Sequence, residues 1–174
     1  MPDAAGAWLT IEVDRGALTR NIAVFRRLVS PANELMAVVK ADAYGHGLLV
    51  AAEAFLAGGA DMLGVHSLAE AASLRAGGID ASILVLGPVS EDEASEASDL
   101  DVEVTLASLP ACRAAAACGK PLRVHLKVET GVNRQGLIEA EIAEALAILR
   151  DASETLVVRG LSSHFADIED TTDH

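Results

Sequence analysis

The sequence predicts an α/β protein in which the strands of a parallel sheet alternate with helices. Short β-branched and aliphatic runs alternate along the chain with segments whose apolar residues recur at helical spacing. Of the 174 residues, 51% are hydrophobic but only 3% are aromatic, so the core must come from Ala, Val, Leu and Ile. Strict alternation implies right-handed crossovers, in either an open doubly wound sheet or a (β/α)8 barrel. Periodicity alone does not choose between the two.

Six segments have the composition and length of buried parallel strands. The segments between them have helical patterns, as where Ile138, Ile142 and Leu146 share one face. The predicted strands are residues 34–39, 62–65, 83–86, 102–106, 122–128 and 156–161.

Local signals mark where the helices begin and end. A serine three residues before a glutamate indicates a helix N-terminus, because each side chain can accept a hydrogen bond from the other residue's backbone N–H. The segments AGGAD (57–61) and AGGID (76–80) each place glycine between a helix and the next strand. The two predicted capping boxes are Ser67 with Glu70 and Ser90 with Glu93.

The pattern of the first residues predicts one more strand, before the six barrel strands. WLTIEV (8–13) has strand character, and Asp14 is expected to cap the helix that follows. A complete (β/α)8 barrel has ~250 residues. Because the chain ends shortly after its sixth barrel strand, we expect residues 1–174 to form one incomplete barrel domain of about six βα units, preceded by this extra strand. The expected apolar face of the first helix is Leu18, Ile22, Phe25 and Leu28.

The charge of the chain limits its partners. The formal net charge is −13 and no cluster of Lys or Arg is present, so neither nucleic acid nor an anionic membrane is expected to bind. A small-molecule substrate is favoured instead. No apolar run is long enough to span a bilayer, and no signal peptide is apparent, which predicts a soluble cytoplasmic protein. Cys112 and Cys118 are too far apart on one helix for a disulfide and are expected to stay reduced.

The segment AVVKADAYGHG (37–47) contains the most informative residues. An apolar strand ends at Lys40, and a loop containing Tyr44 leads into the next helix. A lysine at the carboxyl end of a barrel strand faces the mouth of the barrel, where catalytic groups lie. Partial desolvation there leaves some of the amine neutral and nucleophilic. A lone lysine at a strand end is otherwise most often a solvated residue.

A second segment, KVETGVNRQG (127–136), begins in a strand and ends in a glycine-bounded loop that contains Arg134. In the strand, apolar residues alternate with charged ones, so one face can meet helices while Lys127 lies on the face that lines the barrel. An ion network around Glu129 is the structural alternative, since interior charges must be paired.

A third segment, GLSSHFAD (160–167), places His164 at the end of the sixth strand. A hydrogen-bonded structural histidine is the alternative interpretation of this position. The spacing of His46, His66 and His125 is not that of metal ligands, so no metal site is assigned.

The lysine segment, together with WLTIEVDRGALTRNIAVFRRL (8–28), resembles the alanine racemase family of pyridoxal-phosphate (PLP) enzymes. The resemblance extends over essentially the whole chain. Decarboxylases of the same barrel superfamily have a different strand around their lysine, and the small PLP-homeostasis proteins lack the AYGHG continuation. The resemblance therefore implies a (β/α)8 barrel, with Lys40 as the PLP-binding lysine and as one of two proton-transfer bases. It implies Tyr44 as a contact of the cofactor phosphate.

The resemblance also implies roles for the later segments. Arg134 would bind the substrate carboxylate and the cofactor's ring oxygen, while Lys127 matches a lysine that is often carbamylated and orients that arginine. His164 would lie against the cofactor ring. This sequence has Glu129 where the family commonly has Asp, and Gln135 where it commonly has Leu.

The implied reaction is the interconversion of L-alanine and D-alanine by two-base transfer of the α-proton, which supplies D-alanine for peptidoglycan. The second base in the family is a tyrosine of the partner subunit in a homodimer, and this chain has only Tyr44. We therefore expect little racemisation by the 174 residues alone. The alternatives are a broad-specificity amino-acid racemase, a catalytically silent PLP-binding fragment, and a fragment that does not fold stably.

Overall fold

In the computed structural model, the described residues are 10–167, apart from the side chain of Glu91. Their six strands form one sheet in the order β1 to β6, and every neighbouring pair is parallel. All six predicted barrel strands are confirmed, with ends that differ from the predictions by at most two residues. The strands are β1 Met36–Val38, β2 Met62–Val65, β3 Ser82–Val85, β4 Glu103–Leu106, β5 Leu122–Lys127 and β6 Leu156–Ser162.

The strand order decides between the two architectures that the sequence left open. A doubly wound sheet reverses its strand order at a switch point, whereas each strand here lies beside its sequence neighbours without reversal. This is the order of a (β/α)8 barrel, and the described residues supply six of its strands. The helices are α1 Arg15–Leu28, α2 Lys40–Gly45, α3 Leu48–Ala57, α4 Leu68–Ala76, α5 Glu91–Asp99, α6 Leu109–Ala117 and α7 Glu139–Asp151.

Side chains of the strands alternate between two environments. Leu63, Val85 and Val104 are buried in the apolar core that the sheet forms with the surrounding helices. The opposite face is the barrel interior. There the register aligns Val38 with Gly64, and Thr105 with His125, because paired residues of parallel strands point to the same side. The interior is therefore apolar at β1 to β3 and polar at β4 and β5.

The predicted helix boundaries agree with the structure. Asp14 Oδ1 accepts a hydrogen bond from the backbone N–H of Ala17 at 3.0 Å, and both predicted capping boxes form. Gly59 and Gly78 have φ values of 103° and 83°, the left-handed conformation that ends α3 and α4. No helix within residues 10–167 is long and apolar enough to cross a membrane.

Two expectations about the first residues are not met. Residues 10–13 form no strand, since no described strand pairs with them, and residues 8 and 9 of the predicted extra strand lie outside the described residues. On α1, Ile22 is buried as predicted, but Phe25 and Leu28 are exposed. The reason is that α1 packs mainly against α3, which covers only part of the predicted face.

The contact between α1 and the end of α3 generates a test of the packing. An added Cβ at Gly58 would lie 2.2 Å from Ile22 Cγ2 and 2.5 Å from the carbonyl oxygen of Thr19. Because a backbone atom cannot rotate away, Gly58→Ala is expected to lower the free energy of unfolding by about 1–3 kcal/mol.

Gly77→Ala is the matched control, since Gly77 ends α4 in the same sequence context and also has a negative φ. The three atoms nearest to its added Cβ all belong to the side chain of Leu49, which is partly exposed and can change rotamer. Urea unfolding should therefore show a clearly smaller loss for Gly77→Ala. Equal losses would contradict the packing described for Gly58.

Candidate functional site

The residues that the sequence singled out lie around one cavity at the carboxyl ends of the strands. Its volume is about 650 Å³, which is within the range of small-molecule sites. The cavity is open to solvent. It is lined by all five predicted site residues, Lys40, Tyr44, Lys127, Arg134 and His164, together with His66, Thr105 and Gln135 among others.

Lys40 follows β1, which ends at Val38, one residue before the predicted end of the strand at residue 39, and it begins the short element α2. The next four residues, 41–44, all have φ between 50° and 54° and form a left-handed turn. None of them is glycine, so this conformation costs about 1–2 kcal/mol per residue. Such strain persists only where surrounding contacts determine the backbone, as they do at functional sites.

Hydrogen bonds on both sides hold the left-handed turn. The N–H of Ala43 donates to the carbonyl of Val39 at 2.9 Å, which closes the turn on the end of β1. Asp42 Oδ1 accepts from the N–H of Leu48 at 2.6 Å and thereby caps α3, whose N-cap residue Gly47 has no side chain to do so. The sequence contained no signal for this turn.

Lys127 ends β5 on the interior face of the barrel. Burial lowers the pKa of its amine below the ordinary value, and the nearby cations of Arg134 and Lys40 lower this pKa further, against an opposing effect of Glu129. A larger fraction of the Lys127 side chain is therefore neutral than would be at the ordinary lysine pKa.

The loop that carries Arg134 is organised by Glu129. The Glu129 carboxylate accepts hydrogen bonds from the N–H of Gly131 at 2.6 Å and from the N–H of Arg134 at 3.3 Å. These and other backbone hydrogen bonds hold the pKa of Glu129 below its usual value. At the other end of the loop, Gln135 Nε2 donates to the carbonyl of Leu86 at 2.9 Å, which joins the loop to the end of β3.

The ion network that the sequence suggested forms around a different residue. Glu103, buried on β4, accepts from His125 Nε2 at 2.6 Å, and Arg123 Nε lies 3.5 Å from its other oxygen. The alternative of a network around Glu129 is therefore wrong, because Glu129 bonds backbone amides instead. The signal that could have identified Glu103 is a single carboxylate inside the otherwise uncharged strand VEVTL.

His164 lies just beyond the end of β6. Its Nδ1 is 2.9 Å from the carbonyl oxygen of Phe165, and its own carbonyl accepts from the hydroxyl of Thr130 at 3.2 Å. The Thr130 hydroxyl also lies 2.5 Å from Ser163 Oγ, so this loop is joined to the start of the Arg134 loop.

The electrostatics of the cavity suit an anion. Lys40, Lys127 and Arg134 bring three cationic side chains to one opening of a chain whose net charge is −13. Thr105 adds a buried hydroxyl oxygen at the wall of the cavity without a hydrogen-bond partner in the described part of the chain. A polar ligand or water at this wall could satisfy it. Within residues 10–167, no three His, Cys, Asp or Glu side chains are grouped to hold a metal ion.

Comparison with known proteins identifies a family that matches most of the chain. A family model described as "Alanine racemase, N-terminal domain" matches residues 13–174. The alanine racemase of Mycolicibacterium smegmatis is 43% identical over 176 residues, which cover 97% of this chain and 45% of that protein. The chain thus spans less than half the length of the curated relatives it matches.

Solved structures agree with the sequence comparison. The alanine racemase of Bacillus anthracis, solved with bound L-Ala-P, superposes with a TM-score of 0.85 at 32% identity, covering 92% of this chain and 42% of that one. A histidine racemase from Leuconostoc mesenteroides superposes with a TM-score of 0.80 at 31% identity, covering 89% of this chain and 42% of that one.

The hydrogen bonds of Glu129 generate a pH prediction. Because its folded-state pKa is lowered, the carboxylate stays charged and holds the loop above about pH 4.5, its unfolded value, and releases it as pH falls through the lower folded value. In an NMR titration, the amide resonance of Gly131 should therefore shift with a midpoint below 4.5, and Glu129→Gln should remove that transition. A midpoint at or above 4.5 would contradict the hydrogen bonding described.

Proposed function

Because this chain belongs to the alanine racemase family, we propose that it binds PLP at Lys40 and forms the cofactor-binding part of an enzyme that interconverts L-alanine and D-alanine for peptidoglycan. The observation that supports this most is the convergence of Lys40, Lys127 and Arg134 on one cavity at the strand ends. The parallel sheet alone does not imply it, because one fold can support many chemistries.

The cavity fits PLP in its size and its chemistry. Lys40 supplies a primary amine, Tyr44 supplies a hydroxyl, and the cationic side chains suit a phosphate and a carboxylate. When bound, PLP supplies an electron sink that lowers the cost of removing an α-proton. His164 would lie against the ring of the cofactor.

Two residues of the chain would act on the substrate. Lys40 Nζ would take or return the α-proton on its own face of the substrate. The Arg134 guanidinium binds the substrate carboxylate through two parallel hydrogen bonds, which fixes the α-carbon relative to Lys40. The loop hydrogen bonds of Glu129 and Gln135 hold Arg134 for this purpose.

Racemisation requires a second base on the opposite face. Tyr44 is the one tyrosine of the sequence, and we assign it to the cofactor phosphate on the turn that follows Lys40. We propose that the partner subunit of a homodimer supplies this base from a tyrosine outside the 174 residues, in the C-terminal domain that the family resemblance implies. The 174 residues alone should then hold the cofactor without efficient racemisation.

The site predicts where PLP attaches, and borohydride reduction can fix the linkage permanently. The chain has three lysines, Lys40, Lys120 and Lys127, so peptide mapping can assign the label without ambiguity. We expect the label at Lys40, none in Lys40→Ala, and full labelling in the control Lys120→Ala, since Lys120 pairs with Asp99 away from the cavity. Labelling of another lysine, or of none, would refute the proposal.

A second prediction concerns carbamylation of Lys127. A neutral amine nitrogen can attack CO₂ and release one proton, and the lowered pKa of Lys127 favours this neutral form. The product is an anion beside Arg134, so repulsion between two cations becomes attraction. With ¹³C-bicarbonate, NMR should show a carbamate signal in the wild type and in Lys120→Ala but not in Lys127→Ala. An undiminished signal in Lys127→Ala would exclude carbamylation of Lys127.

A broader substrate range is the second candidate function. It is favoured by the structural similarity to the Leuconostoc mesenteroides histidine racemase. The two candidate functions can be separated by testing alanine, serine, histidine and basic amino acids for exchange of the α-proton into deuterated water. Exchange of alanine alone would favour the alanine racemase, and exchange of several amino acids would favour the broader range. Exchange of none of them despite labelling at Lys40 would indicate a catalytically silent PLP-binding chain.

A further inference from the structure

The glutamate of the first capping box has contacts beyond its own helix. Glu70 Oε2 accepts from the N–H of His66 at 2.6 Å and from the N–H of Ser67 at 3.3 Å. Its other oxygen, Oε1, accepts from the N–H of Ala41 at 2.7 Å. Ala41 directly follows Lys40 and is the first residue of the left-handed turn. One carboxylate therefore joins the cap of α4 to the backbone that carries Lys40.

These contacts fall where the pairing of β1 with β2 stops. The last regular bond of this ladder joins the N–H of Val39 to the carbonyl of Gly64 at 2.8 Å. If the parallel ladder continued, the N–H of His66 would donate to the carbonyl of Val39, and the N–H of Ala41 would donate to the carbonyl of His66. Both of these N–H groups donate to Glu70 instead.

The two carbonyls released in this way acquire other partners. The carbonyl of Val39 accepts from the N–H of Ala43, which closes the left-handed turn, and the carbonyl of His66 accepts from Gly87 on the neighbouring side. Glu70 thus replaces two ladder bonds, and it does so at the point where the chain leaves the strand direction.

We propose that Glu70 is a positioning residue for Lys40, because its carboxylate ends the β1–β2 ladder and fixes the left-handed turn that directs the lysine into the cavity. This inference rests on the proposed function for the role of Lys40, but the backbone arrangement it describes exists without the cofactor. The Glu70 carboxylate accepts from three N–H donors through charge-assisted hydrogen bonds, which are stronger than neutral ones.

The second capping box offers a matched control. Glu93 accepts from the backbone N–H and the hydroxyl of Ser90, both at 2.8 Å, and so caps α5 as Glu70 caps α4. Both of these hydrogen bonds go to its own box. Removal of the charge from Glu93 therefore reproduces the loss of a helix cap without a change at Lys40.

The experiment compares Glu70→Gln with Glu93→Gln in the 174-residue chain. Glutamine at position 70 has one acceptor oxygen. Its NH₂ group takes the place of the other carboxylate oxygen and cannot accept from the N–H groups on that side. Amide exchange without cofactor should show Ala41 exchanging about tenfold faster or more in Glu70→Gln, the effect expected for loss of a hydrogen bond to a charged group. Labelling of Lys40 by PLP and borohydride should slow severalfold in the same variant. Glu93→Gln should change neither quantity, while both variants lower Tm.

Further variants separate capping from positioning. Ser67→Ala removes a cap hydrogen bond but leaves the hydrogen bonds that the N–H groups of Ala41 and His66 donate to Glu70, so it should keep Ala41 protected. If Glu70→Gln does not fold, Glu70→Asp provides the same comparison, since its shorter side chain cannot reach both donors. Unchanged Ala41 exchange and wild-type labelling in the Glu70 variant, or equal slowing in Glu93→Gln, would overturn the inference. An absence of label at Lys40 in the wild type would instead refute the proposed function, and the exchange of Ala41 would still test Glu70.

Discussion

All six parallel strands end on the same side of the sheet, and each proposed functional group depends on this constraint. Residues far apart in sequence, such as Lys40, Lys127 and His164, meet because each follows or ends a strand. The strand order without reversal makes this edge the mouth of a barrel. The site is thus a consequence of topology first and of local loop structure second.

Carboxylates hold the cationic groups in place without neutralising them directly. Glu70 and Glu129 both use their oxygens to accept backbone N–H groups, one beside Lys40 and the other beside Arg134. Glu103 pairs with His125 and Arg123 on the two strands below the cavity, where interior charges need partners. The cations at the mouth therefore remain available for an anionic ligand, although the chain as a whole is strongly acidic.

Much of the fold could be predicted because its signals are local. Apolar runs predicted the strands, and serine and aspartate caps predicted where the helices begin. Both signals depend only on residues within one strand or one helical turn. The left-handed turn at 41–44 could not be predicted, because Ala, Asp and Tyr have no intrinsic preference for that backbone over a right-handed one. One of its hydrogen bonds comes from the N–H of Ala41 to Glu70, which is 29 residues distant. The ion pairs of Glu103 and the exposure of Phe25 likewise depend on neighbours that the sequence pattern does not specify.

The central claim is that Lys40, held on its strained turn, is the residue that receives PLP. A crystal structure of the chain after incubation with PLP and borohydride measures this most directly. The account predicts continuous density from Lys40 Nζ to the cofactor, with the phosphate near Tyr44 and the left-handed turn unchanged. Cofactor density on another residue, or a Lys40 side chain directed away from the cavity, would contradict it.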